Sequence, residues 1–172
     1  MKTLAAIAFV SLALVVVGAA ELHAGKTPNL LGYTVQAQTP TTVTFKNPGD
    51  NVLNDCGLSL ALQPGTWRLE YRGAFYSSRK PDDTGTIEVF ASLTSDPTKI
   101  TDARFTAGTR VRGPEFALVT TLGASNVVVV SQPTTYRVVI WESSGGNWDS
   151  LQCLGSDNGN TPPLMIRAER VR

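Results

Sequence analysis

The chain has 172 residues, 42% hydrophobic and 17% charged, which suffices for one well-cored domain and excludes a disordered tail protein. The 15 Lys and Arg residues nearly balance the 14 Asp and Glu residues, and the formal net charge of +1 excludes bulk electrostatic capture of nucleic acid. The 15 Gly and 10 Pro residues are typical of strands and turns rather than of coiled coils or helical bundles.

The N-terminus has the features of a secretory signal peptide. Lys2 supplies a positive start, an apolar run extends from Leu4 to Val17, and Gly18-Ala19-Ala20 offers small residues where a signal peptidase cuts. An uncleaved membrane anchor is the alternative, and after cleavage no later segment is expected to enter a bilayer. The chain is therefore expected to divide into a signal peptide, an extended arm and one domain, at residues 1–20, 21–31 and 32–172.

The two cysteines, Cys56 and Cys153, are expected to form one disulfide. An even number of cysteines in a chain sent to an oxidising compartment most simply pairs. Two unpaired buried thiols are the alternative. A zinc site is not expected, because two thiols without histidine partners do not complete a tetrahedral shell.

Short segments rich in Val, Thr and aromatic residues, separated by Gly, Pro, Asn and Asp, predict strands and turns throughout the domain. No amphipathic stretch is long enough to favour a helix. Regular short strands at this spacing predict an all-β sandwich or barrel. The predicted strands are Tyr33–Ala37, Thr41–Lys46, Leu58–Leu62, Thr66–Tyr76, Thr86–Leu93, Lys99–Phe105, Glu115–Thr121, Val127–Ser131, Thr135–Glu142, Ser150–Leu154 and Leu164–Val171.

Two of these segments carry specific predictions about burial. In Thr66–Tyr76, apolar residues such as Trp67 alternate with charged residues such as Arg68, so one face is predicted to be covered and the other wet. The four valines that begin at Val127 have no polar alternation, so both faces are predicted to be buried, within the sandwich or against another subunit. The predicted oligomer interface consists of Val127, Val128, Val129, Val130, Tyr136, Val138 and Ile140.

The sequence lacks the residues of most catalytic systems. The only histidine, His23, lies outside the predicted domain, which argues against histidine-based nucleophile systems and metal sites. No phosphate-binding Gly-rich loop, nucleophile elbow or dinucleotide fingerprint occurs. Two carboxylates facing one groove could still act as acid and base of a glycoside hydrolase. The candidates for that role are Glu70, Glu88, Glu115, Glu142 and Asp149, but exposed charges that keep a sandwich soluble are the preferred interpretation, with no catalytic residue, metal or cofactor expected.

Two loops, Ser77–Gly85 and Gly155–Pro163, and the turn before Trp148 are the candidate ligand contacts. Trp148 follows a Ser/Gly-rich turn where a large ring is expected to stay exposed, and exposed aromatic rings stack on sugar faces. The Asp/Asn/Gly clusters could donate oxygens to calcium, although such clusters are more often plain turns. The candidate ligand-binding residues are Trp148, Asn147, Asp157, Asn158, Asn160, Asp82 and Asp83.

Three stretches, Leu58–Tyr71, Thr134–Ile140 and Met165–Val171, resemble the strands of trimeric jelly-roll head domains. These domains form the tumour-necrosis-factor-like and complement-type family, which recurs at the tips of bacteriophage tail fibres. The resemblance implies a jelly-roll-like antiparallel β-sandwich, homotrimers formed through apolar, aromatic-rich strands, and loops that bind a glycan or a protein surface.

Together these observations predict a secreted, non-enzymatic binding or structural module that forms homotrimers and recognises an extracellular glycan or protein surface. A structural virion or cell-envelope component without its own ligand is the alternative, and a carboxylate-based glycoside hydrolase is the second alternative. No nucleic acid partner is expected. The expected location is extracellular, periplasmic or virion-associated.

Overall fold

The computed structural model describes residues 32–80, 86–112, 117–143, 148–159 and 161–172, so the predicted signal peptide and arm lie outside the described residues. No helix within these ranges is long and apolar enough to cross a membrane. The described chain forms short 3-10 helices at Ala103–Phe105 and Ser156–Asn158. Its strands are β1 (Thr34–Gln38), β2 (Val43–Lys46), β3 (Asn54–Leu62), β4 (Gly65–Arg79), β5 (Thr86–Thr94), β6 (Ala107–Arg112), β7 (Ala117–Val130), β8 (Thr134–Glu142), β9 (Trp148–Cys153) and β10 (Met165–Arg170).

The strands form a six-stranded and a four-stranded antiparallel sheet. Strand β4 lies at the centre of the six-stranded sheet, with β7 along one side. On its other side, β10 pairs with the first half of β4 and β9 pairs with the second half. Strand β1 pairs with the outer edge of β10, and β2 pairs with the outer edge of β9. The four-stranded sheet has the order β3, β8, β5, β6.

Strands β9 and β10 form one line that is interrupted between Leu154 and Leu164. The interruption lies beside Ala74 of β4, whose carbonyl accepts from the backbone N–H of Leu154 at 3.0 Å, and Leu164 N–H donates to Leu154 O at 3.1 Å. Strands β1 and β2 form a similar interrupted line, where Thr39 N–H donates to Leu164 O at 2.9 Å. In the strand order of the sheet, β9 and β10 therefore count as one strand position, and β1 and β2 count as another.

The resulting strand order defines the fold. One layer has β1 and β2, then β9 and β10, then β4, then β7, and the other layer has β3, β8, β5 and β6. Such an arrangement of two Greek keys in two antiparallel layers is a jelly roll. The predicted jelly-roll-like β-sandwich is confirmed.

The core lies between the two sheets and follows the alternation predicted for Thr66–Tyr76. Trp67, Leu69 and Tyr71 are buried, whereas Arg68 between them is exposed. The indole Nε1 of Trp67 donates to the backbone carbonyl of Gln63 at 2.9 Å, which satisfies the only polar atom of that side chain.

The predicted disulfide between Cys56 and Cys153 is confirmed. Cys56 lies on β3 and Cys153 on β9, so the bridge connects one sheet with the other, with a Cα–Cα distance of 5.8 Å. Both residues are fully buried. The bridge closes a loop across 97 positions of sequence.

Several predicted strand boundaries are wrong. The predicted strand Lys99–Phe105 is a turn that ends in a 3-10 helix, because the side chain of Asp102 caps that helix by accepting from Arg104 N–H. Strand β6 was not predicted. The predicted strands Glu115–Thr121 and Val127–Ser131 share one long strand, β7, which contains residues 117–121 and 127–130 of them. The start of the predicted loop Ser77–Gly85 is the buried end of β4.

Candidate functional site: the outer face of the six-stranded sheet

The outer face of the six-stranded sheet, which turns away from the four-stranded sheet, carries alternating charges at its centre. Arg68 and Glu70 project from β4 and face Glu169 and Arg167 of β10 in the register of the two strands. Arg68 Nη1 lies 3.4 Å from Glu169 Oε2, and Arg167 Nη1 lies 3.8 Å from Glu70 Oε1. Surface ion pairs of this kind contribute little to stability.

Strand β7 exposes apolar side chains on the same outer face. Val119, Val127 and Val129 are 57%, 44% and 79% exposed, whereas Val128 and Val130 are buried. The prediction that both faces of Val127–Val130 are buried within the sandwich is therefore wrong, whereas burial of the exposed face against another subunit stays a prediction. A run of identical residues carries no period, and an edge strand of a two-layer sandwich has only one covered face.

Strand β7 also has a free backbone edge. It pairs with β4 from Ala117 to Val130, and no other described strand pairs with it. Natural edge strands are usually short, charged or interrupted by proline, since these features prevent further pairing. The 14 residues of β7 include no charged residue and no proline. This edge therefore lacks the features that usually prevent strand addition.

A depression of about 520 Å³ lies between β7 and β4 on the outer face, and we call it the Gly123 depression. A side chain at Gly123 is excluded, because its Cβ would lie 2.7 Å from the carbonyl oxygen of Tyr71. The depression is therefore a direct result of the glycine. Its rim includes Thr121, Ser125, Glu70, Arg72 and Met165.

The chemistry of the Gly123 depression is mixed. Arg72 is exposed, and no described residue forms an ion pair or hydrogen bond with its guanidinium. Glu70 supplies a carboxylate that is shared with Arg167, Thr121 and Ser125 supply hydroxyls, and Met165 supplies an apolar wall. A free guanidinium can bind a carboxylate through two parallel hydrogen bonds.

The Gly123 depression was not predicted from the sequence. The alternation of Arg68, Glu70 and Arg72 was visible, but nothing local shows that Gly123 lies opposite Arg72. A glycine inside a strand pattern does signal close approach of another backbone or a missing side chain, and this was the available signal.

Trp148 is not the exposed ring that the sequence predicted. It is 3% exposed at the start of β9, and its Nε1 has no hydrogen-bond partner among the described residues. A register shift between Ser78 and Arg79 brings Arg79 opposite Trp148. Because Arg79 lies on the covered face of β4, the shift turns the indole into the sandwich.

The carboxylate of Asp157 is hydrogen-bonded within the fold, and its role in ligand binding stays a prediction. Its carboxylate accepts from the backbone N–H of Thr42 at 3.0 Å and from the Thr42 hydroxyl at 2.8 Å. The hydrogen bond from the Thr42 backbone is the main cause that lowers the pKa of Asp157 below its ordinary value, and the one from the Thr42 hydroxyl is the second. The carboxylate thereby ties the interruption between β9 and β10 to the interruption between β1 and β2. The structure does not describe the side chains of the remaining predicted ligand residues, which are Asn147, Asn158, Asn160, Asp82 and Asp83.

The predicted interface residues of β8 face the interior of the molecule. Val138 and Ile140 are fully buried between the two sheets, and Tyr136 is half-buried against the same core. Val138 and Ile140 are therefore core residues, and their prediction as interface residues is wrong. The alternation of Tyr136, Val138 and Ile140 with Arg137 arises because the three apolar side chains face the core of the chain's own sandwich.

The strand carboxylates do not meet in one groove. Glu142 is fully buried and faces the interior, where the Ser77 hydroxyl donates to it. Glu88, on β5, lies on the opposite face of the four-stranded sheet beside Arg110, and Glu70 lies on the outer face of the other sheet. Asp149 is exposed, and Glu115 lies outside the described residues. No two described acids of this set form the facing pair that a glycoside hydrolase requires.

Fold and surface together define a disulfide-linked jelly-roll protein. The chain matches no protein-family model and no curated protein. A structure of the infectious bursal disease virus Gt strain is 12% identical with a TM-score of 0.41, covering 88% of this chain and 43% of that chain. The Gx strain structure is 15% identical with a TM-score of 0.38, covering 88% and 42%. A CocE/NonD family hydrolase from Staphylococcus aureus is 9% identical with a TM-score of 0.41, covering 83% and 37%.

The chain thus spans less than half the length of each of these solved chains. The strand order described above carries the fold assignment, and the residues of the outer face carry the functional argument.

Proposed function

We propose that this chain is a non-enzymatic recognition module that binds a carboxylate-bearing sugar in the Gly123 depression. The observation that carries the proposal is the exposed guanidinium of Arg72, which has no described partner and lies on the rim of a depression that also offers hydroxyls. Because Arg68 and Arg167 are paired with acids, Arg72 is the arginine beside the Gly123 depression that is available to a ligand.

The other groups on the rim favour a sugar acid over a polyanion such as nucleic acid. The sugar carboxylate would bind Arg72, its hydroxyl groups would bond with Glu70, Thr121 and Ser125, and its apolar face would contact Met165. The Glu70 carboxylate would repel a chain of phosphates placed at the same position. The net charge of +1 gives no general attraction for such a chain.

The proposed location is extracellular, periplasmic or virion-associated. The buried Cys56–Cys153 disulfide supports this proposal, because structural disulfides persist in oxidising compartments and are rare in the cytosol.

Calorimetric titration of galacturonate, a sugar acid with a single carboxylate, tests the proposal, with the neutral sugar galactose as comparison. We expect binding of the acidic sugar only, and at least a tenfold loss of affinity in Arg72→Gln. Arg104→Gln is the matched control, because Arg104 is also exposed but is paired with Asp102 in the other part of the fold. Absence of binding, equal binding of the neutral sugar, or unchanged affinity in Arg72→Gln would refute the proposal.

A structural virion or cell-envelope component without its own ligand is the second candidate. The long uncharged edge of β7 favours it, since such an edge is suited to assembly. For this candidate we expect self-association without sugar binding. For the trimeric head domain that the sequence resemblance implies, we expect both ligand binding and self-association, with three copies in the assembly.

A further inference from the structure

The sequence of β7 has a symmetric pattern of polarity about Gly123. Counting outwards from the glycine in both directions gives one apolar residue, two polar residues and then three apolar residues. The residues at equal distances from Gly123 are Leu122 and Ala124, Thr121 and Ser125, Thr120 and Asn126, Val119 and Val127, Leu118 and Val128, and Ala117 and Val129.

We propose that two copies of this chain pair through β7, antiparallel to each other, about a two-fold axis at Gly123. In this register Val119 of one copy faces Val127 of the other copy, and Thr121 faces Ser125. Apolar residues meet apolar residues and polar residues meet polar residues along the whole strand. A two-fold interface requires such self-complementarity, because each patch binds its own copy.

The register also agrees with the faces of the strand. Each odd-numbered residue faces an odd-numbered residue, so the exposed side chains of Val119 and Val127 meet on the outer face of one continuous sheet. Even-numbered residues such as Leu122 continue the covered face. At the axis, where a side chain would meet its own copy, the glycine leaves no side chain.

Length and charge together distinguish β7 from the other described sheet edges. Strand β2 carries Lys46, β3 carries Asp55 and β6 carries Arg110, while β1 has only five residues. A charged residue brought opposite its own kind by a two-fold axis is destabilising. Among these edges, β7 is the one that is both long and uncharged, since β1 is uncharged but short.

The local hydrogen bonding of β7 fits a strand without a neighbour at this edge. The backbone N–H of Val127 donates to the side chain of its own neighbour, Asn126 Oδ1, at 2.8 Å. Side chains of this type compete for backbone groups that lack a strand partner.

Pairing would also join the two Gly123 depressions edge to edge. Arg72 lies one strand away from Gly123, so three strand spacings would separate the two Arg72 Cα atoms, about 14 Å. The dimer would therefore present two guanidinium groups along one trough. The pairing itself does not depend on the proposed sugar ligand, because the depression and the backbone edge are different surfaces.

Size-exclusion chromatography with light scattering tests the pairing first. We expect a dimer for the unmodified chain and a monomer for Val127→Lys, because the substitution places a charge within the paired valines. Val52→Lys is the matched control, since Val52 is 50% exposed but lies outside β7, and it should remain a dimer. A monomeric or trimeric unmodified chain, or a Val127→Lys variant that remains dimeric, would overturn the proposal.

Cysteine cross-linking tests the register. In the proposed dimer, Thr121 of one copy lies directly opposite Ser125 of the other, at a Cα distance of about 5 Å that a disulfide can span. The double variant Thr121→Cys/Ser125→Cys should form a covalent dimer on oxidation, whereas Thr121→Cys alone should not. The two positions are too far apart within one strand to bridge each other. Equal cross-linking of both variants, or none in the double variant, would contradict the register.

Loss of sugar binding in Arg72→Gln with an intact dimer would support the recognition proposal and leave the pairing unaffected. A dimer that binds no sugar acid would refute the recognition proposal alone.

Discussion

The hydroxyl of Ser77, on β4, donates a hydrogen bond to Oε1 of Glu142, on β8, and so connects the two sheets within the core. Both side chains are fully buried, and Oε2 of Glu142 has no hydrogen-bond partner among the described residues. Burial raises the pKa of Glu142 from its ordinary value of 4.5 to about 8; the Ser77 hydrogen bond opposes this shift, and the charge of Asp50 adds to it. The carboxyl is therefore mostly protonated at neutral pH.

Glu142 is expected to make the folded protein less stable as the pH rises. The folded state holds the Glu142 proton up to about pH 8, whereas the unfolded chain releases it near pH 4.5. Stability should fall across that window by up to about 1.4 kcal/mol per pH unit. Urea unfolding between pH 5 and pH 9 should show a smaller decline in Glu142→Gln than in the unmodified chain. Glu169→Gln, at the protein surface, is the control, and equal declines in all three proteins would contradict the role of Glu142.

The disulfide between Cys56 and Cys153 is expected to contribute about 2–4 kcal/mol to the free energy of unfolding, because it restricts a long loop of the unfolded chain. Urea unfolding of the oxidised chain and of the Cys56→Ala/Cys153→Ala variant measures the contribution. The sequence holds no other cysteine, so reduction of the unmodified chain should give a similar loss. Equal stability of the oxidised and substituted proteins would contradict this expectation.

The two buried indoles are expected to respond differently to the same substitution. Trp67→Phe removes the hydrogen bond to Gln63 O, whereas Trp148→Phe removes an N–H that has no described partner. Trp67 also makes an edge contact with the Tyr33 ring and lies 5.6 Å from the Arg170 guanidinium. We expect Trp67→Phe to cost about 1 kcal/mol more than Trp148→Phe. A larger loss in Trp148→Phe, measured by urea unfolding, would show that its N–H does have a partner.

Gly108 is expected to be required for the aromatic pair on the outer face of the four-stranded sheet. Phe90 and Trp141 stack with a centroid distance of 5.4 Å, and a Cβ at Gly108 would clash with the Phe90 ring. Gly108→Ala should therefore lower the free energy of unfolding by about 1–3 kcal/mol. The double variant Gly108→Ala/Phe90→Ala should lose less than the two single losses combined, because the clash disappears with the ring. Additive losses in the thermal or urea unfolding of the three variants would contradict the clash.

The sequence was sufficient for the class of fold because the signals involved are local. The alternation around Trp67 and Leu69 indicates that one face of the strand is covered, and the turn residues indicate where the strands end. The disulfide followed from the number of cysteines and the expected compartment. Strand boundaries are less predictable from the sequence: the segment before Phe105 has the composition of a strand but forms a 3-10 helix at Ala103–Phe105, capped by Asp102.

The candidate site was not predictable, because it depends on which strands become neighbours. Arg72 and Gly123 are far apart in sequence and meet only through the pairing of β4 with β7. Burial of Trp148 depends on a register shift in another strand, which leaves no local pattern. The four valines after Asn126 carry no polar alternation, so the local sequence cannot show that only Val128 and Val130 face the core.

The interrupted outer line of β1 and β2 has a consequence for how the chain folds. These first described strands pair only with β10 and β9, which lie near the other end of the sequence. During synthesis they have no strand partner until β9 and β10 have been made, so this part of the six-stranded sheet forms last. Folding dominated by such distant pairings is slow, and an incomplete chain stays open until its final strands arrive.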